Sequence, residues 1–261
     1  MESNKDIKVP SLSKALSLLD YFDDEHKSAG VTELARHSGL PKSSVQNILS
    51  TFRAHGYVVQ DSRTRKYMLG GEIVSLFSRY KSTRNLDYRV TEYLQAIRDK
   101  YDVEVYLTEL DAENRSIIYL ASEQPKNGHH SFVSKVGQAA PVHATAAGKI
   151  LLGLSPAETR TRYFDSVKEH PLERYTDSTV TDPELLARDI TEAAYQGYAF
   201  CDEEYHEQVY ALSVPVIVGF DDVRYAVGAI QTGPFSPYIR KQLIEDLRDC
   251  ARKTGSFLRN E

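Results

Sequence analysis

The segment from residue 31 to residue 52 constrains the fold more than any other part of the chain. Its apolar spacing predicts a short helix over residues 32–37, a turn at Ser38 and Gly39, and a second helix from about Pro41. Glycine suits the left-handed conformation at a helix exit. Proline suits the first turn of a helix, where its missing N–H has no intrahelical partner to lose. Two helices joined by so short a turn predict a helix-turn-helix.

The second of these helices separates an apolar face from a polar one. The apolar face, which we expect to be buried, consists of Val45, Ile48, Leu49 and Phe52. The other face carries mostly hydroxyl and amide groups, where a solvated surface helix usually carries Glu and Lys: Lys42, Ser43, Ser44, Gln46, Asn47 and Ser50. Hydroxyl and amide groups can read base edges in the major groove, so we predict that these six residues contact double-stranded DNA.

A basic hairpin is predicted directly after this helix. Residues 57–59 and 66–69 are short strand candidates on either side of a polar turn. The cations of this hairpin would form a wing beside the DNA backbone or in the minor groove: Arg63, Arg65 and Lys66. The formal net charge of the chain is -5, yet residues 1–70 hold ten Lys/Arg against eight Asp/Glu, and the remainder 22 against 29. Positive charge is therefore concentrated where phosphates would be contacted.

The remaining pattern predicts a second domain of a different class. Upstream of the helix-turn-helix, one amphipathic helix would complete a small core through its apolar face: Leu12, Ala15, Leu16, Leu19 and Phe22. A connecting helix is expected at residues 72–81 and another near residues 87–101. From residue 103 the apolar residues alternate as in a strand. Strands and helices then follow in mixed order, which is typical of an α+β domain with a largely antiparallel sheet.

Several functional classes are disfavoured by the sequence. The two cysteines, Cys201 and Cys250, cannot form a disulfide framework, and no four-ligand zinc spacing is present. An enzyme built on His143, Lys149, Cys201 and Glu203 is the alternative to a regulator, but no nucleophile, base and orienting group can be paired by spacing. We expect no enzyme activity, cofactor or metal. The polar N-terminus and the lack of a membrane-length apolar run favour a cytoplasmic protein.

Several sequence blocks, in order and along most of the chain, resemble the IclR family of transcription regulators. They include LPKSSV at residues 40–45, HGYV at 55–58, PVHATAAGK at 141–149, DEE at 202–204 and VPV at 214–216. The resemblance implies a winged helix-turn-helix domain over residues 1–70, a linker helix within 71–86, and a GAF-like effector-binding and oligomerisation domain over 87–261. It also implies dimers or tetramers whose operator affinity a small molecule modulates. Repression released by the ligand is the expected behaviour, and activation is the alternative.

The resemblance also implies an effector site in the second domain. The residues expected there are His143, Ala146, Ala147, Cys201, Asp202, Glu203, Ala211, Ile230 and Thr232. Small residues after Ala144 at a predicted helix start leave backbone N–H groups open to a carboxylate, although close packing of that helix explains them equally well. His143 could equally be a hydrogen-bonded core histidine.

Departures from the family pattern bear on what is recognised. Asn47 replaces a usual Arg in the recognition helix, and Gln208 replaces a usual Gly after the acidic block. The family's sensors of small oxo-acids carry polar groups at the positions of Cys201, Ala211 and Ile230, so we expect a less polar pocket and neither glyoxylate nor pyruvate as ligand. Tyrosines around residues 202–204 favour an aromatic acid or a similar ligand: Tyr198, Tyr205 and Tyr210.

Overall fold

The chain divides into two compact units, Met1–Arg84 and Asn85–Glu261. The computed structural model describes residues 7–23, 25–83, 88–126, 134–219 and 223–259. The helix after residue 70 is grouped with the first unit, whereas the sequence pattern placed it in a separate linker. No helix within these described ranges is long and apolar enough to cross a membrane.

The first unit is a helix-turn-helix followed by a two-stranded hairpin. Its elements in chain order are α1 (Pro10–Leu16), α2 (Val31–Ser38), α3 (Lys42–Ala54), β1 (Val58–Gln60), β2 (Tyr67–Leu69) and α4 (Gly71–Thr83). Strands β1 and β2 pair antiparallel, with Val58 opposite Leu69. Gly39 ends α2 in the left-handed region at a φ of 66°, as its position in the turn predicts. The predicted winged helix-turn-helix is confirmed.

The first predicted helix is wrong in its length, and its predicted buried face is wrong at Leu12 and Leu16, although Leu19 and Phe22 pack against the core. Helix α1 ends at Leu16, and the chain then continues with i→i−3 bonds, such as Leu18 N–H to the Ala15 carbonyl. A tighter turn rotates each residue further than an α-helix does. As a result Leu18 is fully buried, whereas Leu12 and Leu16 are 55% and 51% exposed. The core of this unit is closed by Leu18, Leu34, Val45 and Leu49.

The second unit is built on one antiparallel sheet of six strands. Its elements in chain order are α5 (Tyr88–Tyr101), β3 (Glu104–Asp111), β4 (Ser116–Glu123), β5 (Ala139–Pro141), α6 (Ala146–Leu154), α7 (Ala157–Glu169), α8 (Pro183–Gln196), β6 (Ala199–Asp202), β7 (Val209–Val216), β8 (Tyr225–Thr232) and α9 (Pro237–Leu258). The strand order is β5-β4-β3-β8-β7-β6. The predicted α+β class and antiparallel sheet are confirmed, and the short strand β5 is an addition that the sequence pattern did not indicate.

Helices cover both faces of this sheet. Helix α6 packs against one face, where it shares a buried cluster with Tyr106, Cys201 and Ile230. Helices α5 and α9 also contact the sheet, and Gly255 of α9 lies against Val216, whose side chain points to the opposite face. The first five residues of the central strand β3 are therefore buried on both faces, including the polar Glu104 and Thr108. A cavity of the second unit lies on the face covered by α6.

Candidate DNA-binding surface and effector cavity

Helix α3 presents a polar outer surface and a buried inner one. Val45 and Leu49 are fully buried, while Ile48 and Phe52 are partly buried against the same core. Of the six polar residues predicted to contact DNA, Ser44 is half-buried and the other five are exposed: Lys42, Ser43, Gln46, Asn47 and Ser50. These six residues are called the α3 surface below. Their side chains are presented without being needed by the core, as a base-reading surface requires.

The turn between β1 and β2 is held by Asp61. Its carboxylate accepts the backbone N–H groups of Arg63 at 3.0 Å and Thr64 at 2.5 Å. These bonds, that of Thr64 first, lower the pKa of the Asp61 carboxyl. Arg65 follows in the left-handed region at a φ of 60°. Asp61 holds the turn by accepting backbone N–H groups. The turn therefore does not depend on the side chains of Arg63 and Arg65, which are exposed.

Lys66 differs from the other two predicted wing cations. Its Nζ lies 3.2 Å from Oε1 of Glu33, and the other oxygen of Glu33 accepts the Gly30 N–H at the start of α2. The Lys66 charge is therefore partly compensated inside the first unit. Sequence spacing did not reveal this pair, because Glu33 and Lys66 are 33 positions apart.

The second unit contains a cavity between the sheet and the segment that leads into α6. The centre of a water-sized sphere can reach about 30 Å³ of this cavity, and the wider gap between the wall atoms, about 430 Å³, includes open solvent. The wall is mostly aromatic or apolar and consists of Tyr106, Tyr119, Ala144, Thr145, Ala146, Cys201, Tyr205, His206, Val209, Ala211 and Ile230. A mostly apolar concavity with few polar groups is the usual form of a small-molecule site.

The floor of the cavity is set by strand register. Cys201, Ala211 and Ile230 are direct neighbours across β6, β7 and β8. Beside them, the Tyr106 hydroxyl is hydrogen-bonded to Ser213 Oγ at 2.6 Å. The Tyr106 ring passes over Gly228, where a Cβ atom would lie only 2.3 Å from the Tyr106 hydroxyl oxygen. The absence of a side chain at Gly228 thus leaves the space that the Tyr106 ring occupies in the wall.

The start of α6 forms another part of the wall. Thr145 caps the helix by accepting the Gly148 N–H at 3.1 Å, and its hydroxyl donates to the Pro141 carbonyl at 2.8 Å. A Cβ atom on Gly148 would lie 2.2 Å from the Val142 carbonyl oxygen, so close packing explains this glycine. Ala146 nevertheless lies at the cavity, and the N–H groups of a first helical turn have no intrahelical acceptor. The start of α6 is therefore closely packed at Gly148 and borders the cavity at Ala146.

A buried ion pair fixes the loop that follows β6 to helix α6. Lys149 Nζ lies 2.6 Å from Glu204 Oε1 and 2.8 Å from Asp189 Oδ2 of α8, and Lys149 is only 4% exposed. Burial lowers the pKa of Lys149, but the charges of Glu204 and Asp189 outweigh it and raise that pKa. Because Glu204 immediately precedes Tyr205 and His206, the pair also positions these two cavity residues.

Four of the nine predicted effector residues line the cavity: Ala146, Cys201, Ala211 and Ile230. The other five lie elsewhere. His143 is buried with Nε2 2.8 Å from the Glu173 carbonyl oxygen, and burial lowers its pKa. Ala147 is part of the core beneath α6. Asp202 and Thr232 are exposed, and Asp202 lines a separate open cleft.

Glu203 is held by its own neighbours. Its carboxylate accepts the Gln208 N–H at 3.0 Å and the Tyr210 hydroxyl, and these bonds, that of Tyr210 first, lower the pKa of Glu203. Of the tyrosines that bracket the acidic block, Tyr205 alone is part of the cavity wall. Sequence reasoning missed Tyr106 and Tyr119, because their side chains meet only when β3 and β4 pair. Within the described ranges, no group of three or more His, Cys, Asp or Glu residues is placed to hold a metal ion.

An exposed polar helix beside a basic hairpin, with a second domain that encloses a small-molecule cavity, defines a ligand-responsive DNA-binding transcription regulator. Comparison with known families gives its lineage. Residues 11–62 match the IclR helix-turn-helix domain, and residues 78–255 match the bacterial transcriptional regulator IclR C-terminal domain. The chain belongs to the IclR family.

Individual relatives agree with this assignment. The transcriptional repressor IclR of Escherichia coli is 29% identical over 231 residues, which cover 88% of this chain and 81% of that protein. An IclR transcriptional regulator of Alicyclobacillus acidocaldarius has the same fold, with a TM-score of 0.83 at 23% identity over 96% of this chain and 99% of that one. An IclR homologue of Microbacterium hydrocarbonoxydans, solved in complex with 4-hydroxybenzoate, has a TM-score of 0.80 at 21% identity, covering 96% and 100%.

Proposed function

We propose that this regulator represses transcription from its operator, and that a small aromatic or related organic acid releases it by binding in the cavity. The observation that carries this proposal is the tyrosine-lined cavity at the start of α6. The E. coli relative is named a repressor, and the Microbacterium homologue was solved with an aromatic acid, 4-hydroxybenzoate. Both facts support the proposed sign and ligand class.

The ligand pose follows from the wall chemistry. The carboxylate lies at the first turn of α6, near Ala146, where free backbone N–H groups and the helix dipole favour an anion. The apolar body packs against Tyr106, Tyr119 and Ile230, whose burial excludes water from the ring faces. The apolar side chains of Ala211 and Ile230 at the floor favour a hydrocarbon ring over a compact oxo-acid.

DNA recognition uses the first unit. The α3 surface enters the major groove, where Gln46 and Asn47 can make bidentate contacts to adenine. Arg63 and Arg65 contact phosphates or enter the minor groove from the wing. Lys42 adds a phosphate contact at the start of the helix. The pairing of Lys66 with Glu33 makes Lys66 the weakest of the proposed DNA contacts.

Self-association is proposed for the same unit. Helix α1 exposes Leu12 and Leu16, and helix α4 exposes Val74 and Phe77 at 69% and 41%. Exposed apolar faces of this kind mark interaction surfaces, and a second copy is the partner we propose, since paired helix-turn-helix units read two half-sites. Sedimentation equilibrium should give a dimer or tetramer mass, and Val74→Glu should lower it. A monomer in the unmodified chain would overturn this part of the proposal.

The ligand proposal is tested with an operator selected by the full chain from a random duplex library. Benzoate and monohydroxybenzoates are then added while operator affinity is followed by fluorescence anisotropy. We expect at least one acid to weaken operator binding. Ala211→Leu, which fills the cavity floor, should bind the operator but lose the response, whereas Ala157→Leu on the exposed surface of α7 should keep it. A response that survives Ala211→Leu, in a variant whose thermal unfolding is cooperative, would place the ligand elsewhere.

A further inference from the structure

The polar side chains of the cavity wall differ in whether their hydrogen bonds are already made. The Cys201 thiol donates to the Ala144 carbonyl at 3.0 Å. The Thr145 hydroxyl is used in capping α6, and the Tyr106 hydroxyl is bonded to Ser213. These three groups therefore offer little to a ligand. Within the part of the chain that the structure describes, His206 Nε2 is the one side-chain polar atom of the wall residues that is buried and has no hydrogen-bond partner.

His206 Nε2 is therefore the wall atom whose hydrogen bond is still to be made. It is buried from water as well as unpartnered, although the residue as a whole is only half-buried. A buried nitrogen without a partner raises the free energy of the unliganded protein, and a ligand that bonds to it removes that cost. Burial lowers the pKa of His206, so its ring is uncharged near neutral pH. In an uncharged imidazole, Nε2 accepts a hydrogen bond from a hydroxyl in one tautomer and donates one to a carbonyl oxygen in the other.

The loop that carries His206 is held in place on several sides. The Thr176 hydroxyl donates to the Glu203 carbonyl at 2.6 Å, and the Thr179 hydroxyl donates to the Glu204 carbonyl at 2.6 Å. The His206 carbonyl accepts the Val209 N–H at 3.2 Å, and its ring lies 4.2 Å from the Tyr205 ring, centroid to centroid. The imidazole is thus positioned before a ligand arrives, which reduces the entropy lost on binding.

We propose that His206 determines effector specificity by bonding through Nε2 to a second, uncharged polar substituent of the ligand. The inference rests on the proposed function, in which the carboxylate lies at the start of α6. The effector is accordingly a carboxylate on an apolar ring that also bears a hydroxyl or carbonyl group. A ligand without that group leaves Nε2 buried and unpaired, and binds more weakly by about tenfold.

The test compares benzoate with the three isomers of monohydroxybenzoate (ortho, meta and para) by calorimetry on the full chain. We expect at least one isomer to bind about tenfold more tightly than benzoate. His206→Phe should abolish this preference while leaving benzoate affinity within about twofold, and His206→Gln, whose amide reaches a similar position, should restore most of it. His170→Phe, on the exposed end of α7, should behave as the unmodified chain.

The outcomes separate this inference from the proposed function. Failure of benzoate and all three isomers to bind overturns both, because the ligand class is then wrong. Binding of benzoate without a preference for any isomer, or a preference that survives His206→Phe, overturns the role of His206 alone. A preference lost in Tyr119→Phe but kept in His206→Phe also overturns it, since the substituent then meets Tyr119.

A stability measurement excludes a merely structural role. If His206 only supported the loop, His206→Phe would lower the unfolding temperature of the unliganded chain. The inference predicts an unfolding temperature equal to or above that of the unmodified chain, because the variant removes an unpaired buried nitrogen. A lower unfolding temperature together with lost benzoate binding would assign His206 to the scaffold.

Discussion

The α3 surface and the effector cavity recognise their partners with opposite constructions. The α3 surface comes from six residues within nine consecutive positions, nearly all exposed and none needed by the core. The cavity takes its wall from five strands, the loop after β6 and the start of α6, between Tyr106 and Ile230, and most of that wall is buried. Changes on the α3 surface should therefore alter recognition without altering stability. Changes around the cavity should alter both.

The largest effect that distinguishes the two regions is expected at Lys149. Lys149→Met leaves Glu204 as a buried carboxylate without its cation, which costs about 3–5 kcal/mol of the free energy of unfolding of the second unit. Because the same pair fixes the loop that carries His206, ligand binding should be lost as well. Denaturant unfolding followed by circular dichroism measures the first effect, and calorimetry with benzoates the second.

Two further variants show whether that loss comes from the uncompensated charge. Lys168→Met removes an exposed cation from the pair with Asp165, where the two side chains are 77% and 60% exposed, and should leave the unfolding midpoint unchanged. Lys149→Met combined with Glu204→Gln removes both charges and should recover part of the stability. A Lys149→Met protein as stable as the unmodified chain would show that the ion pair is not what holds this loop.

The same contrast explains what the sequence could predict. The polar and apolar faces of α3 follow from a single helical period, so its exposed and buried residues could be assigned from local spacing alone. The hairpin followed from its turn residues for the same reason. Local patterns failed where the backbone left its regular period, at the end of α1, because nothing in the spacing of Leu12 and Leu16 marks the tightening that turns Leu18 inward.

The cavity could be predicted only in part. Resemblance to the family suggested Ala146, Cys201, Ala211 and Ile230, all four of which line it. It also suggested Asp202 and Glu203, which the strand geometry directs elsewhere. Tyr106 and Tyr119 come together through strand register, their ring centroids 5.3 Å apart, and register is not encoded in either strand alone. Sites assembled from distant segments require the tertiary structure.

A smaller effect, on recognition alone, is expected on the α3 surface. Gln46→Ala or Asn47→Ala should reduce discrimination between the selected operator and its single-base variants by about 1–3 kcal/mol, because each removes a bidentate contact to a base. The unfolding midpoint should stay unchanged, since both side chains are exposed. Anisotropy titrations against a panel of variant operators measure the discrimination. Unaltered site preference in Asn47→Ala would remove that residue from the base-reading set.

The wing should affect affinity rather than preference. Arg63→Gln and Arg65→Gln should weaken all duplexes alike, and each should reduce the slope of log affinity against log salt by about 0.9, the value for one lost phosphate contact. Lys66→Gln should change the slope less, because Lys66 is paired with Glu33. Titrations at several salt concentrations give the slopes. Equal slopes for Lys66→Gln and Arg63→Gln would contradict the compensating role of Glu33.

The smallest effect concerns pH and belongs to the second unit. Burial lowers the pKa of His143 in the folded protein below its ordinary value of 6.5, so the unfolded chain takes up a proton at a higher pH than the folded one. The contribution of uncharged His143 to the free energy of unfolding is therefore complete above about pH 6.5, and it is lost as pH falls through the pKa of His143 in the folded protein. His143→Gln, whose amide can still donate to the Glu173 carbonyl, should lose less stability between pH 7 and pH 5 than the unmodified chain. Taking the difference between the two proteins cancels the opposing effect of Glu104 and Glu204, whose pKa values burial raises. Parallel stability curves for the two proteins would show that His143 is not a source of the acid sensitivity of this unit.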